Sequence, residues 1–248
     1  MYLLACCLSW LTYCYQIQGA SVMMATFSQD FLPLQNSILL QHYHPDIGSK
    51  CACSDTKALF RCAGSECCFD SNLLCKSCIL EQHKKLPFHH IEVWNSAHFV
   101  DSSLESMGFV LHLGYYGEPC PNGLPSAHPR VMVIVHTNGY HKLPVSFCQC
   151  YGAMTEAIQL SNQKLFPATI EQPQTGFSFV VLNHFHQFTL SSKKSLYDYV
   201  DALVKLTNAT FPQDVLVSLQ IPGLPETLIT DRYYRTGIKR WALQQTPK

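Results

Sequence analysis

The chain has 248 residues, enough for one sizeable domain or for a small metal module joined to a second compact unit. Apolar residues make up 47% and charged residues 14%, which excludes a largely disordered chain. Lys plus Arg number 17 against 17 Asp plus Glu, so the global basic excess of a protein that grips many phosphates is missing.

In chain order, Met1 to Tyr15 is an apolar run followed by polar QIQGA. It is too short for a membrane span. A secretory signal competes with a buried or frayed segment, or a misassigned first exon. No Lys or Arg precedes Lys50, and Gln18 would stand at −3 of a cut before Ser21, which counts against a signal. Residues 26–50 suggest a short amphipathic helix and linker, with a turn at His44-Pro45-Asp46. A cysteine-rich module follows at 51–92. Next, SLESMGFVLHLGYYG reads as a short helix leading into a strand, and 131–150 as a β-hairpin turning at Asn138-Gly139. Residues 153–166 read as a helix stopped by Phe166-Pro167, and PQTGFSFVVLNHF as a strand. A helix over 192–207 is expected to bury Leu196, Tyr199, Val200, Leu203 and Leu206, with Ser191 or Ser192 as its cap. Residues 211–248 form an irregular tail. The fold class expected is α+β: a small cross-braced Cys/His module followed by a hairpin-containing α/β unit occupying 93–210.

Seven of the thirteen cysteines (Cys51, Cys53, Cys62, Cys67, Cys68, Cys75 and Cys78) fall between positions 51 and 78. Such density means disulfides in a secreted chain or thiolates on metal; the histidines close behind favour metal. Four pairs of donors suit two tetrahedral zinc ions. Alternating pairs imply a cross-brace, with Cys51, Cys53, Cys75 and Cys78 on one ion and Cys62, Cys68, His83 and His89 on the other. Cys67 competes with Cys68, and His90 with His89. Closed four-ligand sites leave no position for a reactive water, so they are structural. So small a segment needs the metal to stay folded.

A possible third metal site gathers Cys120, His136, His141, Cys148 and Cys150 on or beside the hairpin. With a two-residue turn at Asn138-Gly139, His136 and His141 would face each other, while Cys148-x-Cys150 points two sulfurs to one face. The competing reading is ordinary buried cysteines and a polar hairpin pair.

The runs ALFRC, NLLCKSCILEQHKKLPFHHIEVWN, CPNG, VHTNGYH, FCQC, LFPATIEQPQTGFSF and SLYDYVDALVKLTN stand in this order between residues 30 and 210. Together they resemble the second type of CxC-like cysteine cluster domain that accompanies KDZ (Kyakuja–Dileera–Zisupton) transposases. The 51–92 segment also resembles a B-box, a cross-braced two-zinc module of protein–protein contacts. Departures are an apparent insertion between Cys62 and Cys68, Leu165 where the family has Trp, and no likeness over 1–25 and 211–230. The resemblance implies a transposase region starting near Asp231, from which this sequence is expected to be truncated.

Three functions follow as expectations. The first is a non-catalytic accessory module that binds DNA ends or assembles a transposase complex in the nucleus, as the resemblance implies. The second is a B-box-like protein-interaction module without DNA contact. The third, an enzyme, lacks the three carboxylates a strand-transfer site needs, since Asp198 and Asp201 read as solvated helix positions. Between 51 and 92, five positive residues face five negative ones, so DNA contact is expected elsewhere, at Arg232, Arg235, Lys239 and Arg240. The expected cofactor is zinc, two ions or three; the partners are a transposase or other protein, or DNA, with no small-molecule substrate and no membrane.

Overall fold

The structure is a computed structural model. It describes residues 27–40, 46–53, 56–63, 72–122, 129–192 and 195–208, together with positions 22, 24, 25, 43, 212 and 215. Cys67, Cys68, most of the 1–25 leader and most of the 211–248 tail, including Arg232, Arg235, Lys239 and Arg240, lie outside these residues. Residues 27–40 are helical and exposed throughout, with Phe27 and Phe31 in contact one turn apart.

Two sheets and the helices around them make an α+β fold. The first sheet is antiparallel, in the order β1 (Phe60–Cys62), β2 (Ile91–Trp94) and β3 (Phe99–Ser102). Between β1 and β2 the chain makes the helix α1 (Lys76–Gln82). Ile79 and Ile91, each 1% exposed, pack together with Cys62, Leu104, Met107 and Phe109. The expected helix at SLESM is a single turn, closed by Met107 N–H to the Leu104 carbonyl and ended by Gly108 at φ +85°.

The second sheet has five strands, in the order β4 (Leu111–His112), β6 (Gly139–Ser146), β5 (Arg130–His136), β8 (Thr175–Ser178) and β7 (Leu165–Pro167). Its ladder is mixed: β4 runs parallel to β6, and β5 parallel to β8. Alternation along β5 sends Met132 and Ile134 to one core with Leu160 of α2 (Glu156–Asn162). Val135 goes to the other, with Val181, Leu182 and Phe185 of α3 (Phe179–Ser192) and Tyr199, Val200 and Leu203 of α4 (Leu196–Thr207). Leu143 of β6 joins the core of the first sheet.

Several expected elements are corrected. The strand expected over PQTGFSFVVLNHF extends only to Ser178, whose Oγ accepts the Val181 amide at 3.1 Å and starts α3. That cap, and the burial of Val181 and Leu182 on the sheet, override the β-branched FVV signal. The helix α4 begins later than expected. Ser195 caps it by accepting the Asp198 amide and donating to the Asp198 carboxylate, while Ser191 and Ser192 close α3 by bonding Gln187 and Phe188 carbonyls. In the buried stripe Val204 takes the place of Leu206, which is exposed. The helix expected over 153–166 spans only α2; Lys164, at φ +59°, turns the chain into β7.

The hairpin register also differs by one residue. His136 pairs with Gly139, and Ile134 with His141, so the loop is Thr137-Asn138. Gly139 alone of these carries positive φ, at +129°. Thr207 at the end of α4 sets this register: its Oγ1 accepts the Tyr140 amide at 2.8 Å and lies where a side chain at 139 would go. Gly139→Ala is therefore expected to destabilise the protein by about 2–4 kcal/mol, through a collision with Thr207 and an unfavourable φ. Thermal melting checks this; a midpoint moved by less than about one degree would show that α4 does not fix the turn.

Candidate metal centres

The first cluster is assembled by two chain reversals. After Lys50 the Cys51 amide donates to the Thr56 carbonyl at 2.9 Å, which holds Cys51 and Cys53 beside Thr56. Leu74 exchanges backbone hydrogen bonds with Phe60 at 2.8 and 3.0 Å, setting Cys75 at the cap position of α1 and Cys78 in its first turn. The Cys53 sulfur lies 3.6 Å from that of Cys51 and 3.5 Å from that of Cys75. All four sulfurs stand within 4.8 Å of one another. Sulfur corners of a zinc tetrahedron with bonds of about 2.3 Å stand about 3.8 Å apart, so the donor set fits such an ion.

Protons are unevenly held here. The Ser77 hydroxyl, then the Cys78 amide, hold the Cys75 thiol down at about 5. The Cys53 amide lowers Cys51, while the Cys53 and Cys75 sulfurs push Cys78 above the ordinary thiol range. Crowded sulfurs cannot all ionise together without a cation, and a bound divalent ion removes that conflict.

The second cluster joins Cys62 at the end of β1, His83 at the C-terminal cap of α1, and His89 just before β2, again with ligand atoms within 4.8 Å. The Cys62 sulfur is 3.3 Å from His89 Nδ1. His83 is fully buried; its Nδ1–H donates to the Ile79 carbonyl at 2.8 Å, which leaves Nε2 as a buried acceptor with no hydrogen-bond partner. Burial also lowers its proton affinity, keeping the ring neutral. A neutral imidazole held by its other nitrogen is the form that ligates metal. His90 points elsewhere, its Nε2–H donating to the Asn138 carbonyl at 3.2 Å.

The third cluster is made by Cys120, Cys148 and Cys150. The Cys120 sulfur is 3.8 Å from that of Cys148 and 3.4 Å from that of Cys150. Gln159, which no motif or spacing singles out, brackets the backbone here. It accepts the Cys148 amide at 2.8 Å and donates to the Cys148 and Met154 carbonyls at 3.0 and 2.8 Å. Tyr115, likewise missed, places its hydroxyl 3.0 Å from the Cys150 sulfur and is the main cause of a Cys150 thiol lowered to about 7. Neither residue stands at a spacing that marks a ligand.

His136 and His141, expected in this cluster, are not there. They lie at the turn end of β6, whereas Cys148 follows its far end; seven extended residues span on the order of 20 Å. Nor do they pair across the strands, because the register shift makes them diagonal neighbours, with ring centroids 6.4 Å apart. His136 bonds the Ser178 hydroxyl at 2.8 Å, and His141 donates to the Asn138 side-chain oxygen at 2.8 Å. Burial, then His90 and His136, push His141 down to about 3.

Cys75→Ser is expected to remove one metal ion per chain and unfold residues around α1, since a structural ion loses a thiolate. Elemental analysis of the purified variant checks it; unchanged metal content would exclude Cys75 as a ligand. In the same assay Cys68→Ser should lose one ion and Cys67→Ser none. The reverse would move the fourth ligand of the second cluster by one position.

No curated protein and no solved structure matches the chain. Residues 104–211, which hold the five-stranded sheet and the third cluster, match the family described as CxC2 like cysteine cluster associated with KDZ transposases.

Proposed function

We propose that this chain is a non-catalytic zinc-binding module that takes part in assembling a KDZ transposase complex in the nucleus, through protein contacts. The observation that carries the metal reading is the donor chemistry: three sets of thiolates and imidazole, with a buried and unpartnered His83 Nε2 in one of them. Such soft and borderline donors select zinc, and the four-thiolate set of Cys51, Cys53, Cys75 and Cys78 is closed, so it would hold structure rather than reactive water. Three ions are expected, on Cys51, Cys53, Cys75 and Cys78; on Cys62, Cys68, His83 and His89; and on Cys120, Cys148 and Cys150.

Protein contact is favoured over phosphate contact by four basic side chains of the described residues that are matched to carboxylates. Arg61 bonds Glu92 and Arg130 bonds Glu156, each at 2.6 Å. Lys84 lies 2.9 Å from Glu81, and Lys205 2.6 Å from Asp201. These cations are already neutralised locally, and a B-box-like interaction role is consistent with that. The carboxylates of Asp198 and Asp201 are likewise engaged, with Ser195 and Lys205, rather than gathered around a divalent ion. DNA-end binding is the second reading, favoured by Arg232, Arg235, Lys239 and Arg240 standing within nine positions of the tail.

Purified full-length protein is expected to hold about three zinc ions; less than one, with disulfides instead, would overturn the metal reading. Titration with duplex DNA across salt should show weak binding with a slope of no more than about four phosphates, abolished by neutralising the four tail residues without loss of zinc. Tight, sequence-selective binding that survives this change would place DNA contact in the zinc-bearing body and defeat the protein-contact reading. Nicking or strand transfer by the purified chain would defeat the non-catalytic one.

A further inference from the structure

The third cluster differs from the other two. Its three sulfurs supply three corners of a tetrahedron. Among the described residues no other Cys, His, Asp or Glu has a ligand atom within 4.8 Å of all of them. The side chain that adds an oxygen next to these sulfurs is Tyr115, 3.0 Å from that of Cys150. It opens the short 3-10 turn Tyr115–Gly117, and its φ of +47° is a left-handed conformation that a non-glycine residue adopts only when its surroundings hold it there. The preceding Gly114 lies so close to Cys148 that a side chain there would meet the Cys148 Cβ at 3.3 Å. The chain thus passes close to Cys148 at Gly114, and the next residue's hydroxyl oxygen lies 3.0 Å from the Cys150 sulfur. A sulfur and an oxygen on one zinc tetrahedron stand about 3.5 Å apart, so a small movement takes this oxygen from hydrogen bond to ligand. Asn122 adds an outer donor, its amide nitrogen 3.6 Å from the same sulfur.

We propose that the Tyr115 hydroxyl oxygen is the fourth ligand of the third cluster, completing a site of three sulfurs and one oxygen. The inference rests on the reading that this cluster holds zinc. An oxygen donor among thiolates binds a borderline-soft ion less tightly than a fourth sulfur or an imidazole. The third cluster has no buried cysteine, whereas Cys51 and Cys75 of the first cluster and Cys62 and His83 of the second are buried beside the exposed Cys53 and the half-buried Cys78 and His89. The third zinc is therefore the exchangeable one, and the ions near α1 are the retained ones.

Zinc release from the full-length protein to the chromophoric chelator 4-(2-pyridylazo)resorcinol tests this. The expected result is one fast-released ion per chain and two slow ones. Tyr115→Phe, which keeps the ring, should speed release of the fast ion by at least about tenfold, or lose it, and leave the slow pair unchanged. Tyr115→His, which offers an imidazole at the same corner, should slow that ion relative to the unsubstituted chain. Far-ultraviolet circular dichroism confirms that each variant is folded. Equal fast-phase rates in the unsubstituted chain and Tyr115→Phe would overturn the Tyr115 assignment while leaving the third zinc in place. Two ions in the unsubstituted chain, unchanged by Cys148→Ser, would instead overturn the zinc reading of this cluster.

Discussion

The imidazole of His83 sits at the end of α1 with no exposure to solvent, and its two nitrogens are treated differently. One is fixed by the Ile79 carbonyl; the other faces Cys62 and His89 with no hydrogen-bond partner. A buried acceptor left unsatisfied costs about 1–3 kcal/mol, and a segment this small has little burial with which to offset that cost. A cation at Nε2 removes the cost and joins the ends of α1, β1 and the approach to β2 through three ligands. The Ile79–Ile91 packing next to it, each residue 1% exposed, depends on the same arrangement. Core and candidate cluster thus share one set of residues, and a ligand role would account for a ring buried with one nitrogen unpartnered.

This construction reaches into the second sheet. The Asn138 amide donates to the Phe88 carbonyl at 2.6 Å, and His90 returns a bond to the Asn138 carbonyl. The Phe88 ring lies 4.9 Å from His136 and 5.5 Å from His141. His89 stands between Phe88 and His90 in sequence, so the ligand and the two contact residues share one short stretch of backbone. Burial keeps His141 neutral, which allows a cluster of imidazoles to pack without mutual repulsion. On the other side of the turn Thr207 fixes Gly139 and Tyr140. The hairpin is therefore clamped from both faces, and that clamp decides its register.

Why some of this was legible in the sequence follows from where the determinants lie. The first ligand set is written in short spacings, Cys51-x-Cys53 and Cys75-x-x-Cys78, which a turn and one helical turn bring together whatever the rest of the chain does. His83 and His89 are likewise placed by a local element, α1. The hairpin itself was legible from its strand composition and the Asn138-Gly139 dipeptide, although the loop falls at Thr137-Asn138. Its register was not, because Asn138 is engaged by Phe88 and His141 and the turn is met by Thr207, all distant in sequence or specific to one packing. A shift of one residue then sends His136 and His141 to Ser178 and Asn138 rather than to metal. The third cluster needs the parallel pairing of β4 with β6 to carry the segment before Cys120 alongside Cys148, a non-local event without a spacing signature. The strand-to-helix change at Ser178 was hidden by β-branched residues whose local preference loses to a cap and a buried face.

Metal occupancy bears on partner choice through charge. On the proposed ligand sets, four thiolates with one zinc carry about −2, two thiolates with two imidazoles are about neutral, and three thiolates with a neutral phenol carry about −1. The formal net charge of zero counts cysteines as uncharged. A fully loaded chain would accordingly be acidic by about three charges. The basic side chains named above add no compensating surface, since Arg61, Lys84, Arg130 and Lys205 are already matched to carboxylates. On the proposed ligand sets, loading the clusters would stabilise the fold and at the same time make its body a poorer neighbour for a phosphate backbone. A metal-loaded body and strong phosphate affinity would then pull in opposite directions, which is the physical reason for proposing a protein partner over a nucleic acid.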